Sequence, residues 1–295
     1  MVRTAILLLL TAGATLADEQ SQRLVSRLAE EAIAFERLAP QVLGVETLQQ
    51  RAQKPPRRFR IRVGQGATRP TQPEWQDRKI VSEYGFSTFA ATSGTGGSLH
   101  ELRQVTSVDG HPVKHNGPDA LARIILASDD NRKRELLQQF QEHGLVGAVT
   151  DFGPLLLLFT PVNIVRYEFS YLRADNIDNS PALVFAYKQI DGPAALTIFD
   201  VPRAETQSLR IAGEIWVRPD YLPLRVTLSS VSGAVAQEAT VDYTLSRFGA
   251  LLPTATHHRE SRAGKLSAEN NFTYSDFKRF GSSADLIFEP GEQPK

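Results

Sequence analysis

From Leu209 to Phe280 apolar and polar residues alternate with a period of two. Ile211, Gly213, Ile215 and Val217 fall on one side, and Arg210, Glu214 and Arg218 on the other. Leu224, Val226 and Leu228 alternate with Arg225, Thr227 and Ser229. Val241, Tyr243 and Leu245 alternate with Thr240, Asp242 and Thr244. Successive side chains of a strand point to opposite faces, so this pattern predicts strands with one face in a core and one in water. Turn-formers separate the runs: Pro219-Asp220, Ser232-Gly233, Gly249 and Ala263-Gly264. The stretch reads as four strands in hairpin order: 209–219, 222–231, 238–248 together with 251–261, and 265–280. Such a half-buried antiparallel sheet requires the rest of the chain to cover its apolar face.

The amino terminus points to an extracytoplasmic compartment. Met1-Val-Arg3 is a short positive start, Ala5 to Leu10 is apolar, and Thr15-Leu16-Ala17 offers small residues before Asp18-Glu19. Residues 1–17 read as a secretory signal peptide, with cleavage expected after Ala17. The apolar run is far short of the roughly 20 residues a span needs, so no transmembrane helix is expected. The remaining 18–295 read as one α+β domain, with a helical insertion around 118–159. The chain has no cysteine, which excludes disulfides and thiolate chemistry and makes a secreted protein look bacterial. Lys plus Arg and Asp plus Glu both number 33. A formal charge of zero argues against a nucleic-acid partner, which would require an excess of base.

Leu24, Leu28, Ala32, Phe35 and Leu38 recur at three and four residues, predicting an amphipathic helix from Asp18. Pro40 ends or kinks it, and Val42, Leu43, Val45 and Leu48 read as two further turns. In KPPRRFRIRV, residues 54–63, Arg58, Arg60 and Arg62 alternate with Phe59, Ile61 and Val63. This predicts a strand with a basic outer face, either a patch for an acidic surface or a solvated edge. Residues 64–77 read as a loop. Residues 78–91 and 99–108 read as strands joined by a glycine-rich turn. Residues 118–143 read as helix, broken and re-capped at Ser128-Asp-Asp130 and stopped by Gly144. Leu155 to Phe159 is the most apolar run after the amino terminus, either a buried short helix or a lip beside a cavity. Three more strand runs follow, 164–172, 182–190 and 194–200, for about ten strands in all. Strands interrupted by helical insertions argue for an α+β fold with a large curled antiparallel sheet, a half-barrel covered by amphipathic helices.

No catalytic or metal-binding motif stands out. His111 and His115 are four apart, but Pro112 puts them in a turn rather than on one helix face. His257-His258 lies in a strand, where neighbours face opposite ways, and reads as an exposed pair. No Gly-x-Ser-x-Gly or His-Glu-x-x-His occurs, and no cofactor or metal is called for. The Asn271-Phe-Thr273 sequon carries no meaning in a strand of a bacterial protein.

A twisted sheet of this size curls. If it curls over helices without closing, it leaves an apolar groove suited to acyl chains. The inward residues would be Ile215, Val217, Leu224, Val226, Leu228, Val241, Tyr243, Leu245, Phe272 and Tyr274. A tightly filled core would have the same composition.

The order of features resembles the LolA/LolB-type lipoprotein-carrier superfamily, which includes the sensor domain of RseB. The local match is GEIWVRPDYLPLRVTL, similar to the family's Gly-x-Ile/Leu-Trp hairpin followed by Pro, here Gly213, Trp216 and Pro223. A weaker match is GALLPTATHHRES leading into NFTYSDFKRF. The chain is longer than a bare carrier domain, with 64–77 and 118–159 as apparent insertions. The resemblance implies an incomplete barrel closed by helices and holding lipid or lipoprotein acyl chains. Leu28 and Phe35 of the first helix, with Leu156, Leu157 and Phe159, would then form lids. That reading predicts an apolar cavity, and a filled interior counts against it. The alternative is a non-enzymatic envelope interaction or sensor module of the same fold, with a filled core and an envelope protein partner bound through Arg58, Arg60 and Arg62. A secreted hydrolase has the least support.

Overall fold

A computed structural model of the chain describes residues 2–54, 74–89, 99–114, 117, 119–145, 151–200 and 205–280. Helix α1 (Val2–Leu38) leads through a 3-10 turn into β1 (Val42–Gln53). Next come β2 (Trp75–Thr88), β3 (Leu99–Val108), β4 (His111–Pro112), α2 (Ala120–Leu126) and α3 (Asp130–His143). A 3-10 segment, Gly153–Phe159, precedes β5 (Tyr167–Ile177), β6 (Ser180–Gln189), and the hairpin β7 (Leu196–Asp200) and β8 (Glu205–Leu209). The chain then meanders through β9 (Ala212–Val217), β10 (Pro223–Ser232), β11 (Val235–Leu245), β12 (Leu251–Arg262) and β13 (Lys265–Arg279).

Eleven strands form one antiparallel sheet in the order β4-β3-β2-β1-β13-β12-β11-β10-β9-β6-β5. The sheet does not close, so β4 and β5 are its two ends. Its centre joins the two halves of the chain: β1 pairs with β2 on one side and with β13 on the other, Leu48 facing Ile80 and Phe272. The architecture is the α+β curled sheet expected from the alternation.

Three local readings need correction. Residues 42–48 continue no helix but begin β1. Val42, Gly44, Glu46, Leu48, Gln50 and Ala52 are buried in strict alternation, and both strand edges are paired. Residues 238–248 and 251–261 are two strands, not one. Between them the Ser246 N–H and the Ala250 carbonyl bond at 2.9 Å, around Gly249 at φ +86°. The carboxy-terminal meander also begins at Ala212 rather than Leu209, which instead ends the separate β7–β8 hairpin.

The helical readings agree more closely with the structure. On α1, Leu24, Leu28, Ala32 and Phe35 are fully buried against the sheet's inner face. The Asp129 carboxylate caps α3 by accepting from Asn131 N–H at 2.9 Å, and Gly144 ends that helix. Helices α2 and α3 wrap the β3 end: Leu121, Ile125 and Leu136 pack on Leu102, while Phe140 reaches Arg103 on the opposite face of the strand.

Candidate functional site

The inner face gathers eight of the ten residues expected to line a groove. Ile215, Val217, Val226, Leu228, Val241, Tyr243, Phe272 and Tyr274 are all between 0% and 7% exposed, within one core cluster. Leu224 and Leu245 stand apart. Leu224 is the extra residue of a bulge, since Pro223 faces Val217 while Arg225 already faces Trp216, and it is only half-buried. Leu245 is the last residue of β11 and is 51% exposed.

The cover comes from the chain itself. Leu28 and Phe35 of α1, and Leu156 and Phe159 of the 3-10 segment, have no exposed surface, and Leu157 is partly buried. Phe159 sits in a box of rings, with centroids 5.2 Å from Tyr187, 5.6 Å from Tyr167 and 5.8 Å from Phe169. A side chain beside a cavity wide enough for an acyl chain would keep surface that water could reach. These residues keep almost none, so the expected cavity is not found at them: α1 and Gly153–Phe159 occupy its place. Arg58, Arg60 and Arg62 lie outside the described residues.

At Gly153 the cover is fastened by polar groups. Its N–H donates to Glu101 Oε1 at 3.0 Å, and its carbonyl accepts from the Tyr243 hydroxyl at 2.8 Å. Two residues earlier, Asp151 pairs with His100 Nδ1 at 2.7 Å and accepts from Glu101 N–H at 3.2 Å. Only glycine fits at 153, because a Cβ there would lie 2.3 Å from Glu101 Oε1 and 2.6 Å from the Tyr84 hydroxyl.

Glu101 belongs to a buried charge cluster that the sequence reading missed. Arg103 donates from Nε to both oxygens of Glu46, at 2.8 and 3.0 Å, and from Nη2 to Glu101 Oε2 at 2.7 Å. The Tyr84 hydroxyl donates to Glu101 Oε1 at 2.5 Å. One guanidinium thus serves two carboxylates, all three side chains being at most 4% exposed. Burial raises the Glu46 carboxyl despite Arg103, and pushes Glu101 up to about 7. The signal in the sequence was Glu101-x-Arg103, two charges on one face of a strand.

A second polar ladder crosses the inner face from β1 to β11. Gln50 Nε2 donates to Asn270 at 2.7 Å, Asn270 Nδ2 to His258 Nδ1 at 2.9 Å, and His258 Nε2 to Gln237 at 2.5 Å. Gln237 Nε2 donates to Glu260 at 2.9 Å, and Arg262 closes on Glu260 at 2.8 Å. His257 and His258 do face opposite ways, but only His257 is exposed; His258 is buried beneath the ring of Phe152, 4.6 Å away. Burial lowers His258 to about 4, so it is neutral at neutral pH.

The hairpin motif has structural causes. A Cβ on Gly213 would lie 2.0 Å from the Thr227 carbonyl oxygen, so β9 and β10 approach too closely there for any side chain. Trp216, on the outer face, lies between Arg173 at 5.3 Å and Arg225 at 5.8 Å. Those arginines are themselves paired with Glu214 and Asp242. Among the described residues no three His, Asp or Glu side chains converge to hold a metal ion, and no helix is long and apolar enough to cross a membrane.

No family model and no curated protein matches the sequence. Among the solved structures that the chain is similar to over nearly its whole length are the following. A LolA superfamily protein from Nitrosomonas europaea shares 15% identity at a TM-score of 0.33, covering 90% of this chain and 97% of that one. A DUF1329 family protein from Desulfovibrio piger shares 10% identity at 0.35, covering 90% and 97%. A domain described as an outer membrane lipoprotein-sorting protein, from Vibrio parahaemolyticus, shares 10% at 0.35, covering 88% and 93%. At such identities and scores these likenesses carry nothing about ligand or activity.

Proposed function

We propose that the protein is a non-enzymatic, extracytoplasmic binding protein that holds the acyl chains of a lipid or lipoprotein against the inner face of its sheet. The observation that carries this reading is the nature of the cover. Gly153–Phe159 fills the space over an apolar wall, and its amino-terminal end is tied down by a few hydrogen bonds at and beside Gly153. Burial of Leu155, Leu156 and Phe159 contributes roughly 5–9 kcal/mol in gross terms. An acyl chain of about sixteen carbons contributes about 12 kcal/mol on the same scale. A chain entering beneath the segment therefore more than replaces the burial it removes. Cleavage after Ala17 would leave Leu24 to Leu38 in place as the second wall of the cover.

The filled interior favours a second reading, an envelope interaction module with a permanent core, in which any partner binds the outer surface. Native mass spectrometry of protein purified from a periplasm without detergent separates the two. The acyl-binding reading expects a co-purifying acyl species, or near-stoichiometric uptake of an added diacylated lipopeptide. A clean apo mass that stays unchanged on adding lipopeptide and fatty acid would reject it in favour of the interaction module.

A further inference from the structure

We propose that the cover is a pH-controlled latch, held shut at acidic pH through His100, Glu101 and Asp151 and released as the pH rises above neutrality. The proposal deepens the acyl-binding reading by naming what governs access to the inner face. Its readout uses ligand-free protein, so the two fail separately.

The geometry concentrates the control at one end of the segment. Asp151 is tied to His100, and Gly153 is tied to Glu101 and Tyr243. The carboxyl of Glu101 is faced from every packed element: Tyr84 on β2, Glu46 on β1, Arg103 on its own strand, Tyr243 on β11, Tyr274 on β13, and Asp151 ahead of the segment. Three carboxylates share one permanent cation, Arg103, with His100 a second only while protonated, so an ionised Glu101 is poorly accommodated while the cover excludes water. When protonated, it reverses the 2.5 Å contact, so that the Tyr84 oxygen accepts in place of donating, and Oε1 still accepts from the Gly153 N–H.

The sign follows from linkage. In the closed form Glu101 is raised by burial to about 7, while opening returns it toward the ordinary 4.5. A group with the higher pKa in the closed state favours that state below its open-state value, and the advantage is lost as the pH rises through the closed-state value. His100 is raised by its hydrogen bond to Asp151, so its contribution is complete below 6.5 and is also lost on the alkaline side. His258 acts in the opposite sense. Its proton is disfavoured by burial, so acid below 6.5 weakens the ladder around it rather than the clasp at Gly153.

Hydrogen exchange of peptides spanning residues 152–160 tests this, at pH 5.5 and 8.5, with rates corrected for intrinsic exchange. The expected result is about a tenfold or greater loss of protection at pH 8.5, a tenfold change corresponding to one pKa unit. Peptides from β11 to β13 should change far less. Glu101→Gln fixes the charge at zero and should abolish most of the difference. His100→Asn, at the half-exposed rim, should remove part of it and carries the test if Glu101→Gln does not fold. Equal protection of the wild type at both pH values would overturn the proposal, as would a difference that survives in every folded variant.

Discussion

Arg103→Met is expected to lower the stability of the folded protein by about 4 kcal/mol at pH 7. Methionine replaces much of the apolar stem, so the loss is chiefly electrostatic. Glu46 and Glu101 would remain buried, at 1% and 0% exposure, with their shared counter-charge gone. Each must then take up a proton or draw in water, and either route disrupts the packing of Phe140 and Phe272 around the guanidinium, 4.7 and 5.6 Å away. The loss should shrink at pH 5, where both carboxyls can be neutral. Urea denaturation at the two pH values measures it. A change of less than about 1 kcal/mol at pH 7 would mean that the cluster is not sealed from solvent.

Gly213→Ala should cost about 3 kcal/mol, at the upper end for inserting a methyl group into a packed site. The obstruction is backbone: the Thr227 carbonyl oxygen would lie 2.0 Å from the new carbon, and the ring of Tyr187 2.8 Å from it. Neither yields easily, because the Tyr187 hydroxyl donates to that same carbonyl at 2.7 Å and Thr227 Oγ1 accepts from Glu214 N–H at 2.8 Å. Relief requires β9 and β10 to separate. Gly233→Ala is the control: it has positive φ, +55°, but open space around it, and should cost only about 1 kcal/mol of backbone strain. Denaturation midpoints that put Gly233→Ala at or above Gly213→Ala would contradict the close approach of the two strands.

The sequence reveals the parts of this fold whose cause is local. The spacing of Leu24, Leu28, Ala32 and Phe35 identifies the buried face of α1, and alternation identifies β9 to β13 with their turns. What it hides depends on partners far along the chain. Val42, Leu43, Val45 and Leu48 fit helix and strand equally well until β13 arrives, more than 200 residues later, to place Phe272 beside Leu48. Glu46 and Arg103 lie 57 residues apart, so their pairing is invisible until both strands are in register. For His258, the parity of the strand separates it correctly from His257, but burial depends on Phe152 arriving from the covering segment. The same limit applies to the site. Apolar residues on an inner face read alike whether they await a ligand or are filled by Leu156 and Phe159, because composition is equal in the two cases.

On the acyl-binding reading, the chain lies against the inner face beneath Gly153–Phe159, with α1 left in place as the other wall. A lipopeptide whose acyl chain carries a photoactivatable diazirine tests this directly, with cross-linked peptides located by mass spectrometry. Attachment is expected at inner-face residues of β10, β11 and β13, such as Val226, Val241 and Phe272, together with loss of hydrogen-exchange protection in residues 152–160. Attachment confined to the outer face around Trp216, or none at saturating lipopeptide, would contradict it.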